Sequence, residues 1–466
     1  MTVLTLLRRC AVRRRALALG AAALLALPGC KTDKELKGTA TGGGKGKNDP
    51  LVHGPTRIPK QDLPLPDRGI GGKGKADPLT SPTGGRDKVG YTDDPERFKG
   101  TVIPGKPSTP AALAGRVKDG DELKIDDTGV PGVGTDNDGV TDQPLRIALD
   151  LTVKGDRMTL DFSRSAPPCD GPLNISRSTT VACCYVALKH LFTDVPANAG
   201  CLAPIEFVIP DATLLGVSAP KPVGGYTETI LRVIDVIFGA FAKATPERAN
   251  GSPFATINAL SLAGWREHGK RWVMFCFFGG GLGGNPEGDG LNHGNNPIST
   301  ATIPPVEILE SLYPVMFTQW ALRPDSAGAG QHRGGLGAIY EVEALADGGA
   351  EVFLLGERGK FPPFGVNGGG TAALNRFVYE TDKGEATPLL VSKVTDVKIR
   401  KGQKVRLETP GGGGFGDPAR RVPERVVRDV RLGYVSRDVA LNTYRVVLTN
   451  DGALDAAATA TLRGAP

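Results

Sequence analysis

The sequence predicts an α+β fold, a β-rich core with a few long helices, preceded by a disordered leader. Three observations carry this expectation. Residues 145–162 alternate apolar and polar side chains, and two long stretches repeat apolar residues at three- and four-residue spacing. Short strand-like runs separated by Gly- and Pro-rich turns then recur to the end of the chain.

Leu145, Ile147, Leu149, Leu151 and Val153 alternate with Arg146, Ala148, Asp150 and Thr152. After Lys154-Gly155-Asp156, Met158, Leu160 and Phe162 continue the alternation, so the segment reads as a β-hairpin. Ser176–Phe192 reads as a helix with Val181, Cys184, Tyr185, Leu188 and Phe192 on one stripe. A second helix over 227–244 carries Ile230, Val233, Ile234, Ile237, Phe238 and Phe241, and Pro246 closes it. Both stripes are expected to be core. Strands are expected at Trp272–Phe278, Ala338–Leu345, Glu351–Leu355, Asn375–Tyr379 and Val405–Leu407. A short helix is expected over 305–313, and a helical pair at 423–432 and 436–444, with Gly433 as a helix stop.

The 466 residues allow two or three domains, and a hydrophobic content of 40% permits a sizeable core. Residues 1–100 hold 19 Lys+Arg against 10 Asp+Glu, while the remainder holds 37 against 40. The basic balance therefore belongs to the N-terminal segment and does not point to a nucleic-acid-binding fold. Arg8, Arg9 and Arg13–Arg15 precede the apolar run Ala16–Leu27, and Leu27-Pro28-Gly29-Cys30 is similar to a lipoprotein signal. The division expected is a signal-like segment 1–30, a disordered Gly/Pro/Lys-rich linker 31–137, a folded region 138–450 and a flexible tail 451–466. The seven cysteines (Cys10, Cys30, Cys169, Cys183, Cys184, Cys201, Cys276) lack zinc-site spacing and read as free thiols.

No GxxxxGK[ST] loop, GxSxG elbow or HExxH helix is present. The glycine clusters Gly279–Gly284, Gly368–Gly370 and Gly411–Gly414 read as tight turns between strands. Of the five histidines, His190 reads as a helix C-terminal partner and His332 as a loop residue. His293 lies in Gly288-Asp289-Gly290-Leu291-Asn292-His293-Gly294-Asn295-Asn296. There Asp289 could orient the ring and His293 could shuttle a proton, or the loop is a solvated connector. Arg323 and Asp325 could clamp an anionic group or form a structural ion pair, and Glu357-Arg358 has the same ambiguity. The candidate catalytic residues are thus Asp289, His293, Arg323 and Asp325. No metal-binding residues are expected in the chain.

The stretch WALRPDSAGAGQHRGGLGAIYEVEALADGGAEVFLLGERGKFPPF (Trp320–Phe364), with NAGC (Asn198–Cys201) and ETPGGGGFGDP (Glu408–Pro418), resembles the hydantoinase B/oxoprolinase family. The resemblance spans roughly residues 138–450 and is to the C-terminal part of that subunit. It implies hydrolysis of cyclic amides such as 5-oxoproline, hydantoins and lactams in a hetero-oligomer with a hydantoinase A-type ATPase. ATP and magnesium would then sit on that partner, with no cofactor in this chain. Several members hold a metal through a pattern such as NDPYxGGTHxxD, which this sequence lacks, and Asn295-Asn296-Pro297-Ile298 stands where the family carries an HTHM-like element. The resemblance implies a cytoplasmic protein inactive by itself. The alternatives are a non-catalytic scaffold lipid-anchored through Cys30, or a subunit of a ketone carboxylase.

Overall fold

Residues 122–126, 134–154, 157–193, 195–266, 269–295, 297–299 and 304–464 are described in the computed structural model. The signal-like segment, Cys30 and most of the expected linker lie outside them. Strands β1 (Glu122–Asp126), β4 (Asp150–Lys154), β5 (Arg157–Asp161) and β6 (Ile205–Val208) form a sheet in the order β1-β4-β5-β6. Its first two pairings are antiparallel and β5–β6 is parallel. The expected hairpin is β4–β5. Leu145–Arg146 (β3) instead pairs with Gly134–Thr135 (β2), and the intervening Ile147, Ala148 and Leu149 are fully buried outside any strand. The end of the expected linker instead belongs to the fold, since Thr135, Asp136 and Asn137 are buried, and β1 upstream of it pairs in register with β4.

The helices come where their stripes place them. In α1 (Arg177–Leu191) the Ser176 side chain caps by accepting from the Thr179 N–H, and Cys184 and Leu188 are buried. Helix α2 (Tyr226–Ala244) presents Val233, Ile234, Ile237 and Phe241 to a core shared with Leu151, Met158 and Leu160 of the sheet. Its other stripe is charged yet equally buried, because Glu228, Arg232 and Asp235 recur at helical spacing and support a buried loop. Glu228 accepts from the Ile257 N–H at 2.9 Å, Arg232 donates to the Ala255 carbonyl, and Asp235 binds Ser252 and Arg358. Buried loop backbone needs such partners.

A β-sandwich follows. One sheet has the order β14-β11-β7-β8, with β14 at Lys393–Ile399, β11 at Ala350–Leu355, β7 at Ala259–Trp265 and β8 at Arg271–Phe277. The other has the order β13-β12-β15-β10-β9, with β13 at Gly384–Ala386, β12 at Arg376–Thr381, β15 at Lys404–Glu408, β10 at Ala338–Ala344 and β9 at Val315–Leu322. Leu260, Met274, Val352, Tyr340, Val405 and Leu407 from the two sheets share one core. Helix α3 (Val306–Leu312) leads into β9. Helices α4 (Pro423–Arg431) and α5 (Arg437–Asn442) build a small third cluster around Val426 and Tyr444, and α6 (Ala456–Leu462) follows it in the chain. The expected flexible tail thus contains a helix, capped by Asp455 and tied to Val447 through Thr459. The five described cysteines are free and buried, and burial pushes the Cys183 thiol up to about 12.

The glycine clusters differ most from expectation. Gly279–Gly284 and Gly411–Gly414 are not tight turns: none of them has a positive φ, and main chains pack against one another along them. A Cβ on Gly411 would lie 2.2 Å from the Ser326 carbonyl oxygen, and one on Gly412 would lie 2.0 Å from that of Leu282. On Gly413 it would meet the Phe364 oxygen at 1.8 Å, and on Gly414 that of Ala329 at 2.0 Å. Successive residues face different neighbours, and their amides bond outward: Gly412 to Gly335, Gly413 to Ser252 and Gly414 to Gly370, at 2.8–3.0 Å.

Two glycines with different duties give a test. Gly412→Ala should cost about 3 kcal/mol or more, since backbone must move to admit the methyl. Gly433→Ala, at φ +72° with open space around it, should cost about 1 kcal/mol. Equal losses in chemical denaturation would refute the close-packing account.

Burial, reinforced by the Glu357 charge, raises the fully buried Glu228 carboxyl to about 8. The native state keeps a proton that the unfolded chain releases near the ordinary carboxylate value. Its contribution to stability is therefore complete below that value and is lost as pH rises through 8. Stability measured between pH 5 and 9 should fall as pH rises and level off above about 8 in the parent protein, and Glu228→Gln should flatten the fall. An unchanged slope would show that the group does not titrate there.

Candidate functional site

The loop that carries His293 is held at both ends by the glycine-rich packing. The Leu282 amide donates to the Leu291 carbonyl at 2.9 Å, the His293 amide donates to Leu336, and Gly280 and Gly294 bond reciprocally. His293 itself takes φ +50°. Strands β9 and β10 supply the neighbours, because their register sets Trp320 directly opposite Tyr340 on one face. Trp320 Nε1 donates to His293 Nε2 at 3.2 Å, and the Tyr340 hydroxyl also meets that nitrogen. The same hydroxyl lies 3.4 Å from the Gly279 carbonyl oxygen. An indole N–H can only donate, so Nε2 accepts and the neutral ring carries its proton on Nδ1. Burial pulls the imidazole below its usual value, and burial also raises the Tyr340 phenol.

His293 borders a cavity of about 730 Å³ walled by Phe277, Phe278, Phe317 and Trp320, with Glu307 at the start of α3. Four aromatic residues give it a largely apolar lining, and His293, Asn295 and Glu307 are the polar side chains among the described lining residues on which orientation of a ligand would depend. A second cavity of about 610 Å³ lies on the other side of the loop, bordered by His190, Asn250, Asn285 and Asp289. Leu291 and Asn295 border both, so the loop is the partition between them.

Asp289 does not orient His293. Its carboxylate takes two hydrogen bonds from Arg421, at 2.6 and 2.8 Å, and one from the Arg333 amide at 3.0 Å. Arg421 also binds Asp429 at 2.8 Å, and Arg333 donates to the Asn292 side chain at 3.0 Å. Burial opposes the charge of Asp289, but the Arg421 hydrogen bonds and charge outweigh it and hold the carboxyl below its usual range. Asp289 and His293 therefore point into different networks from the two sides of one loop.

Arg323 and Asp325 do not pair with each other either. Arg323 donates to the Leu374 carbonyl at 2.7 Å and faces Glu408 at 3.4 Å, while Asp325 accepts from the Ser436 amide at 2.8 Å. Asp325 thus anchors the start of α5 to the turn after β9. Glu357 and Arg358 are fully buried and separately engaged: Glu357 with Lys393 at 2.6 Å, Arg358 with Ser252 and Asp235. His190 Nδ1 bonds the Val186 carbonyl at 2.9 Å, as a helix-end residue does, and His332 bridges to Phe415. Asn198 caps the turn Ala199–Leu202 by accepting from Gly200, so NAGC is a structural motif here.

Sequence reading missed Trp320, Tyr340 and Glu307 as site residues. Trp320 and Tyr340 lie in apolar strand runs, and only the β9–β10 register reveals that they converge on His293. Among the described residues no group of three His, Cys, Asp or Glu is placed to hold a metal. The donors nearest to such a role are already committed, His293 Nε2 to Trp320 and Tyr340 and Asp289 to Arg421, so these residues do not fit the family's metal. No described helix is long and apolar enough to cross a membrane.

The family model described as Hydantoinase B/oxoprolinase matches residues 114–418. The chain is 31% identical over 328 residues to an uncharacterized protein of Methanocaldococcus jannaschii, covering 69% of this chain and 56% of that protein. It is 30% identical over 336 residues to the caprolactamase subunit beta of Pseudomonas jessenii, covering 69% and 57%. The crystal structure of the ATP-dependent caprolactamase from Pseudomonas jessenii superposes with a TM-score of 0.63 at 25% identity, over 76% of this chain and 62% of that one. The chain thus spans little more than half the length of these two relatives, and about a fifth of 5-oxoprolinase 1 of Arabidopsis thaliana, to which it is 32% identical over 274 residues.

Asp289→Asn should lower stability by about 2 kcal/mol, as expected for a charged hydrogen-bond acceptor. It should leave the His293 Nδ1–H tautomer, read from histidine ¹⁵N shifts, unchanged. A change of tautomer in this variant would show that the two residues are coupled after all.

Proposed function

The chain belongs to the hydantoinase B/oxoprolinase family, and from that premise we propose that it acts as a B-type component of an ATP-dependent cyclic-amide hydrolase. The observation that carries the reading is the aromatic-walled cavity beside His293, where a neutral ring could meet a fixed polar side chain. Ring amides are stabilised by resonance, so opening them at neutral pH needs an activated carbonyl. The chain has no phosphate-binding loop, and we assign activation to a hydantoinase A-type ATPase. Transfer of the terminal phosphoryl group of ATP to the amide oxygen yields ADP and an imidate phosphate. Water then adds to the carbon and the C–N bond breaks with a proton to nitrogen, leaving an acyl phosphate, which a second water hydrolyses to the carboxylate with release of phosphate. The products are the open amino acid, ADP and phosphate, and a cytoplasmic location suits the demand for ATP.

In this reading His293 is a hydrogen-bond donor and not a base, because its Nε2 lone pair is occupied by Trp320 and Tyr340. A donor aimed at developing negative charge on oxygen stabilises the transition state more than the ground state. Tyr340 and Trp320 are positioning residues that fix the ring and its tautomer.

The chain alone is expected not to open 5-oxoproline, hydantoins or caprolactam, with or without ATP. Co-expression with a hydantoinase A-type ATPase and the segments that relatives carry beyond the matched region should give ATP-dependent opening of at least one of them. In that assembly His293→Ala should lower kcat about tenfold or more with little change in KM. Tyr340→Phe should lower it less and shift the His293 tautomer equilibrium. Robust ring opening by the isolated chain would refute the dependence on a partner, and unchanged turnover in His293→Ala would remove the cavity from the mechanism.

A further inference from the structure

Among the described residues that line it, the cavity beside His293 has no cation. Its titratable lining residues are His293 and Glu307, and the imidazole is held neutral by burial. The adjoining sequence Asn296–Ile303 contains no Lys or Arg. Arginines of neighbouring segments are committed elsewhere: Arg323 to backbone carbonyls and Glu408, Arg333 to Asn292 and Asp429. The walls are the rings of Phe277, Phe278, Phe317 and Trp320.

We propose that this cavity selects cyclic amides that carry no ionised carboxylate, and discriminates against 5-oxoproline. This rests on the reading of the cavity as the cyclic-amide site. A neutral lactam offers an apolar ring to the aromatic walls and needs one donor and one acceptor for its amide. In this proposal the carbonyl takes a hydrogen bond from a polar lining side chain, His293 or Asn295, and the Glu307 carboxylate accepts from the ring N–H. A ligand carboxylate would lose part of its water against aromatic faces with no cation among the described lining residues to compensate, and Glu307 would repel it. At about 730 Å³ the space exceeds a caprolactam-sized ring, which leaves room for an apolar substituent.

The test is direct binding to the full chain at pH 7 by saturation-transfer NMR and calorimetry, with ε-caprolactam and 5-oxoproline as probes. The lactam should bind at least tenfold more tightly. Phe317→Ala should weaken it, and Glu307→Lys, an exposed change at the start of α3, should narrow or reverse the preference by tenfold or more. Equal or tighter binding of 5-oxoproline, or a preference unmoved by Glu307→Lys, would overturn the specificity while leaving the cyclic-amide reading intact. Binding of neither probe would overturn both. Selective binding without ATP-dependent turnover in the reconstituted assembly would sustain this inference and refute the proposed catalytic role.

Discussion

The structure depends on backbones that touch. At Gly411–Gly414 a Cβ on any of the four successive residues would lie within 2.2 Å of another segment's carbonyl oxygen, that of Ser326, Leu282, Phe364 or Ala329. Side chains are excluded there by geometry, and cohesion comes from main-chain hydrogen bonds sent to different neighbours. The segments so gathered are the ones that lead into the His293 loop, the turn after β9 and the arginines Arg333 and Arg421. Positioning of the candidate site is therefore a consequence of glycine packing, and a single added methyl would act on all of these segments at once.

A second layer of constraint is ionic. The region around the glycine core buries charges that are nearly all partnered: Asp289 with Arg421, Arg421 with Asp429, Arg358 with Asp235, Lys393 with Glu357. Such pairs contribute less net stability than their Coulomb energy suggests, because each ion has given up water. Their effect here is on geometry. They pin loops that have no regular secondary structure, as Glu228, Arg232 and Asp235 of α2 do for the buried turn ending at Asn258. The charged stripe of α2 explains how a helix can be buried on all sides without being apolar on all sides.

Much of the candidate site was legible as composition and little of it as arrangement. His293 stood out as an imidazole in a polar glycine loop, and it does line a cavity. Asp289, four residues earlier, was the natural partner by sequence distance, yet the loop turns it to the opposite side and Arg421, far along the chain, claims it. Arg323 and Asp325 were adjacent for the same reason and are separated for the same reason: each finds a nearer partner in another segment. Trp320 and Tyr340 gave no polar signal, since an aromatic in a strand is ordinarily core.

Local periodicity by itself determined the helices at 177–191 and 226–244, the β4–β5 hairpin and the strands β8, β10 and β11, because these patterns have one low-energy solution each. It passed over β7, where Ala, Ser and Gly give weak strand preference, and the helix Ala456–Leu462, whose alanines carry no amphipathic stripe. The family was legible too, from motifs that the fold uses largely as structure. Only the tertiary structure decided what the glycines are for, which strands face each other, and which carboxylate meets which arginine. Those are contacts between segments far apart in the chain, and their geometry depends on register and close approach, neither of which leaves a periodic trace in the sequence.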